Sequence, residues 1–156
     1  MTQAQAVTDG ETVLAAIEVA ASPARAFEAM MSAEVEKWWG EPDLYRFTNW
    51  RSELRVGGRW QVDVRLPNGS TCPAGGEYLV VEAPFRVTLT RRYDWDHPTL
   101  GRRVTRVTYR FEPVEHGTRV VVRQDEFGSP EAAREHAAGW RRTLNLLQIH
   151  LARSSA

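Results

Sequence analysis

The side chains with the most chemical potential in this 156-residue chain cluster toward its C-terminal third. His136 lies one helical turn before Trp140 on an apolar stripe that continues through Leu144, so a neutral imidazole there could bond a ligand oxygen or serve as an acid or base. A histidine satisfied by the sheet beneath it explains the same placement. Gln124 and Glu126 share a strand face with Val120 and Val122, and Tyr109 shares one with Val107; parity therefore aims all three inward, as a few convergent polar groups in an apolar setting. A buried Glu126 would need a partner, for which Arg91 is a candidate, or a raised pKa, whereas a twisted strand end would carry it into solvent. Trp38, Trp39, Trp50, Trp60 and Trp140 offer large flat surfaces that either line a pocket or fill a core. Neighbours on a helix point apart, so one of Trp38 and Trp39 is expected at a surface or cavity mouth.

Other chemistries find little support. Asp94-x-Asp96-His97 offers oxygen and nitrogen ligands, but Pro98 follows and no matching ligand pair stands elsewhere, so no metal or other cofactor is expected. Cys72 has no histidine near it in sequence and reads as a turn residue rather than a nucleophile. There is no Gly-x-Ser-x-Gly elbow and no glycine-rich phosphate loop. Whether the chain is an enzyme is left open, with binding favoured over turnover.

Positioning these residues requires a particular order of elements. Residues 1–12 are polar and read as a flexible tail, followed by one domain over 13–153, with a frayed end from Ser154. Val13, Ala15, Ile17 and Val19 alternate as a strand up to Ser22-Pro23, which caps a helix carrying Phe27, Met30 and Met31. A second short helix carries Val35, Trp38 and Trp39. Strands then follow: Trp50, Ser52, Leu54 and Val56 on one face, a turn at Gly57-Gly58, and Trp60, Val62, Val64 and Leu66 on the inward face of the next. Tyr78 to Ala83, Val87 to Tyr93, Val104 to Glu112 and Val120 to Glu126 complete a sheet of about six to seven strands. After Ser129-Pro130 the period shifts to 3.6 and a long helix runs to the end, bearing His136, Trp140, Leu144, Leu147 and Leu151. Without βαβ alternation the fold class is α+β, an antiparallel sheet covered by a C-terminal helix.

Twenty basic residues balance twenty acidic ones, and the arginines are scattered, so no net field favours nucleic acid or anionic membrane. Lys37 is the only lysine, a bias that reads as genomic coding preference. A single cysteine excludes an internal disulfide framework and fits a reducing compartment. The start carries no basic cluster followed by an apolar run, and no apolar stretch is long enough to span a bilayer, so a cytoplasmic location is expected.

The series Ala21-Ser22-Pro23 before Phe27, Trp38-Trp39-Gly40, Leu54-Arg55-Val56-Gly57-Gly58-Arg59-Trp60, Gly76-Glu77-Tyr78, Val107-Thr108-Tyr109, Gly117-Thr118-Arg119 and His136-x-x-Gly139-Trp140 resembles, in order, the START-like, helix-grip superfamily called SRPBCC. The nearest branch is the one named after the activator of the heat-shock-protein-ninety ATPase, in its bacterial form. The resemblance implies a Bet-v-1-like cavity between curved sheet and last helix, and hence an apolar or aromatic ligand such as a lipid or polyketide. Two alternatives accompany it: a polyketide cyclase or dehydratase using His136, Glu126 or Tyr109, and a protein-docking module with an apolar patch around Trp38 or Trp95. A homodimer is compatible with the sequence. A chaperone partner is not expected, since the additional N-terminal domain of the eukaryotic activator has no counterpart here.

Overall fold

Period-two alternation dominates the middle of the chain, and each strand buries one side of its pleat. The computed structural model describes residues 2–154. In chain order its elements are β1 (Gln5–Asp9), β2 (Thr12–Val19), α1 (Pro23–Met30), α2 (Val35–Trp38), β3 (Gly40–Glu41), β4 (Tyr45–Ser52), β5 (Arg59–Arg65), β6 (Thr71–Glu82), β7 (Arg86–Tyr93), β8 (Thr105–Val114), β9 (Gly117–Asp125) and α3 (Pro130–Ser154). The strands form one antiparallel sheet in the order β1-β2-β9-β8-β7-β6-β5-β4-β3. On its inner face Val13, Ile17, Val62, Val87, Phe111 and Val122 are buried; α3 buries Trp140, Leu144, Leu147 and Leu151 on the same side, and Phe27 of α1 meets Phe111 edge-on at 5.3 Å. A side chain of this kind, fully buried, stabilises the fold by about 1.5–3 kcal/mol.

The α+β helix-grip architecture is as expected, with nine strands rather than six or seven. Both additional strands lie where alternation is silent. β1 falls inside the stretch expected as a tail, and it forms because Gly10 turns the chain back (φ 61°) to pair Ala6 with Ala15. Helix α3 then ties it down: Asn145 Oδ1 accepts the Ala4 N–H at 2.8 Å, and Arg141 donates to the Ala6 carbonyl at 2.9 Å. Met1 of that tail, and 155–156 of the expected frayed end, lie outside the described residues; Ser154 closes α3. β3 has only two residues. β4 also begins earlier than expected and stops at Ser52, with a bulge between Thr48 and Arg51 where Asn49 takes φ 54°. Leu54 and Val56 are consequently exposed turn residues.

Local signals at helix starts hold. Ser22 accepts the Arg25 N–H at 3.2 Å with Pro23 in the first turn, and Ser129 accepts the Ala132 N–H at 3.1 Å. The junction of α1 and α2 is tied to α3 through Glu34. Arg25 grips both carboxylate oxygens of Glu34 at 2.8 and 2.7 Å, and His150 Nε2 lies 2.6 Å from Glu34 Oε2.

Hydrogen bonding from Arg25, assisted by His150, holds the Glu34 carboxyl below the usual carboxylate range in spite of partial burial. A depressed carboxyl contributes stability above its unfolded pKa and loses it as pH falls through the folded value. The difference in thermal midpoint between wild type and Glu34→Gln should therefore be largest at neutral pH and close on acidification. A difference independent of pH would contradict the clamp.

Candidate functional site

Between the inner face of β4, β5 and β7 and the first half of α3 the side chains do not meet. They leave a cleft of about 290 Å³ walled by Phe47, Val64, Leu66, Tyr93, Trp95 and Arg91, with His97, Glu135, His136, Gly139 and Arg142 along one side and Leu44 and Tyr45 at its opening. An inner recess of about 50 Å³ shares Tyr45, Arg91, Tyr93, His136 and Gly139, and is closed by Trp39, Gln124, Trp140 and Thr143. A larger hollow of about 790 Å³ lies on the other face of the sheet, but Arg103, Arg106, Arg123, Asp125 and Glu126 line it and it is an open, charged groove.

The recess is braced by a buried polar chain. Trp140 Nε1 donates to Gln124 Oε1 at 2.8 Å, Gln124 Nε2 donates to Thr105 Oγ1 at 2.9 Å, and Thr105 donates to the Arg91 carbonyl at 3.1 Å. All three side chains are buried, so none can exchange its partner for water. The chain links α3 through β9 and β8 to β7, and fixes the backbone from which Arg91 projects.

Arg91 is enclosed by rings. Its guanidinium carbon is 5.8 Å from the Trp39 ring centroid, 5.9 Å from Phe47, 6.0 Å from Tyr93 and 5.9 Å from Trp140. What surface it keeps faces the cleft, and its Nε is sealed without a hydrogen-bond partner.

His136 has its tautomer set by its neighbours. The Ala132 carbonyl, 2.9 Å from Nδ1, can only accept, so Nδ1 carries the proton and Nε2 accepts from the Tyr93 hydroxyl at 3.3 Å. Burial drives its pKa down to about 4, and Arg91 and His97 push the same way against the Ala132 bond. The imidazole is neutral at pH 7. His97, stacked on Tyr93 at 4.4 Å, has the opposite tautomer: Nδ1 faces the N–H groups of Thr99 and Leu100, both at 3.2 Å, so the proton sits on Nε2, 3.5 Å from Glu135 Oε1. His97, Glu135 and His136 bring potential ligand atoms within 4.8 Å of one another. A metal-bound imidazole usually donates through its other nitrogen, as His136 does; His97 accepts there instead, and Glu135 Oε1 lies 3.5 Å from His97 Nε2 and 3.7 Å from His136 Nδ1 at the rim.

Of the residues singled out from sequence, Trp39, Gln124, His136 and Trp140 border the recess or cleft. Trp38 is buried, with Nε1 bonded to the Ala29 carbonyl, and Leu144 and Tyr109 are core; burial raises the Tyr109 hydroxyl to about 12. Trp60 lies over Gly76, where a Cβ would come within 2.8 Å of the indole nitrogen, and donates to Thr90 O; Trp50 stacks on it, and neither reaches the cleft. Glu126 is a correction. It follows the last residue of β9 with φ 72°, which reverses its parity and swings it to the outer groove, where it pairs with Arg106 at 3.3 Å rather than with Arg91. Asp94 and Asp96 pair with Arg92 and Arg102, leaving His97 alone of that motif to join α3. Arg91, Tyr93, Phe47 and Gly139 as cleft residues were missed. Only Gly139 carried a local signal: a glycine inside a long helix costs about 1 kcal/mol and needs a reason.

Residues 20–152 match the family model described as Activator of Hsp90 ATPase homolog 1-like protein. Comparison with curated protein sequences finds no match. Among solved structures the chain is similar to a protein from Rhodobacter sphaeroides (TM-score 0.81, 23% identity, covering 97% of this chain and 99% of that one) and to one from Arthrobacter aurescens (0.82, 21%, 96% and 91%). It is likewise similar to the AHSA1-like protein from Aeromonas hydrophila (0.74, 20%, 92% and 94%). At these identities the structures speak for the fold.

The depressed His136 pKa has a stability consequence. Between its ordinary value of 6.5 and about 4 the unfolded chain binds the proton and the folded chain does not, so stability falls as pH drops through that window and levels off for this group below it. The loss is on the order of 3 kcal/mol at most. Urea midpoints from pH 7 to 4 should fall less in His136→Gln than in wild type; equal slopes would mean the ring is not enclosed as described.

Proposed function

The chain belongs to the Activator of Hsp90 ATPase homolog 1-like family, and from that premise and the geometry of its cleft we propose that it binds an apolar or aromatic small molecule between the inner sheet face and α3. The observation that carries the reading is Gly139. It stands in the middle of a 25-residue helix, lines both cleft and recess, and a Cβ built on it would meet nothing closer than Arg142 Nη2 at 3.9 Å. Glycines inside helices usually admit a neighbouring backbone; this one leaves room instead. The surrounding walls are aromatic and aliphatic, with the His136–Tyr93 pair and Arg91 as the few polar groups, the usual make-up of a small-ligand site.

Neither alternative gains a comparable observation. An acid–base enzyme needs two groups at one substrate atom, and of the trio named for it Glu126 lies on the outer groove and Tyr109 in the core. A docking patch around Trp38 meets a buried side chain, and one around Trp95 meets a half-buried ring in the cleft wall.

Naphthalene-2-carboxamide, uncharged and bicyclic, should quench tryptophan fluorescence saturably, since Trp39, Trp95 and Trp140 border the space. Gly139→Leu should abolish that quenching while keeping or raising the thermal midpoint, because a helix former replaces glycine and its side chain fills the cleft. Undiminished binding in Gly139→Leu would overturn the reading.

A further inference from the structure

We propose that the ligand carries a carboxylate, and that this head group seats on Arg91 while its aromatic or aliphatic body fills the cleft. The inference rests on the cleft being a ligand site and adds the chemical class of what enters it.

The first argument is the charge. Arg91 is deeply enclosed, yet among the described residues no carboxylate lies within ion-pair distance of it. A guanidinium remains protonated in such a setting and presents five N–H donors. Its neighbours are four ring faces and the hydroxyls of Tyr93 and Tyr109. The two hydroxyls take hydrogen bonds from part of the guanidinium, and the ring faces offset some desolvation but accept no in-plane hydrogen bond; neutral partners leave the charge itself uncompensated on a side chain that lines the cleft.

The second argument is the hydrogen-bonding character of the wall, which two indoles share with the guanidinium. Three buried side-chain nitrogens bordering this one space lack any partner: Arg91 Nε, Trp39 Nε1 and Trp95 Nε1. All are donors. Buried donors are nearly always satisfied, and leaving one unmet costs about 1–3 kcal/mol; these three are closed off in the empty cleft, so a guest reaches them only as a ring or the guanidinium turns toward it, and such a guest must bring acceptors and few donors. A carboxylate has two oxygens and no proton to place; an amine or an alcohol would compete with the wall.

The third is the absence of a rival. Glu135 is the one acid lining the cleft, and it is exposed at the rim, bonded by Thr99 Oγ1 at 3.1 Å and facing His97 and His136. Rim Arg142 offsets its charge. The volume, near the small end of ligand pockets, suits a compact acid better than a long-chain lipid.

The test is calorimetric titration at neutral pH of naphthalene-2-carboxylate against its near-isosteric, uncharged carboxamide, with wild type, Arg91→Gln and Gly139→Leu. Wild type should bind the acid at least about ten-fold more tightly than the amide, and Arg91→Gln should erase most of that preference while still binding the amide. Should Arg91→Gln fail to fold, as judged by circular dichroism, the wild-type ratio decides, together with loss of acid binding in Gly139→Leu, which keeps the arginine. Equal affinity for acid and amide in wild type overturns the carboxylate assignment and leaves the cleft a neutral-ligand site. Saturable binding of neither probe overturns the cleft reading and this inference with it.

Discussion

The structure depends on one buried hydrogen-bonded line, Trp140 to Gln124 to Thr105 to the Arg91 carbonyl. Apolar packing holds α3 on the sheet but is indifferent to small rotations and slides. The line is not, because each side chain in it is sealed from water and its polar atoms have only their neighbours in the line to satisfy them. It sets the rotation of the helix about its axis, brings Gly139 and His136 to face the gap, and places Trp140 beside Arg91. Every feature of the cleft inherits its position from this register.

That constraint also explains why polar residues survive in so apolar an interior. Gln124 could be replaced by an isosteric apolar residue only if Trp140 and Thr105 lost their polar atoms too. His136 is tied in the same way to Ala132 on its own helix and to Tyr93 on β7, so two separate polar contacts pin helix to sheet on either side of Arg91. The cleft lies between these pins, and its opening is bordered by the more exposed Leu44, Glu135 and Arg142.

The fold was legible because its signals are local and periodic: strand alternation from Trp60 to Arg65 and Val107 to Phe111, the caps at Ser22 and Ser129, and the helical stripe ending at Leu151. What failed was of another kind. β1 has no apolar alternation and is held through side chains of a helix more than 130 residues away. Glu126 was misplaced because parity reasoning presumes an unbroken pleat, and a left-handed residue broke it. The site was half legible: Trp39, Gln124, His136 and Trp140 stood on apolar stripes, whereas Arg91, on a strand rich in arginine and threonine, was legible only as a candidate partner for Glu126, and its place in the cleft wall came from the topology that brought four rings around it.

The strand order has a consequence for how such a chain is made. β2 hydrogen-bonds to β9, pairing Val13 with Gln124, so apart from the short hairpin with β1 the first long strand has no sheet partner until all the intervening strands and β9 itself have left the ribosome. α3, which follows β9 in the chain, is the element that covers the apolar face those strands present. Closure is therefore a late, non-local event whose loop entropy falls due before most of the burial that offsets it. The interval in which that face stands open is the one in which the nascent molecule is most exposed to aggregation.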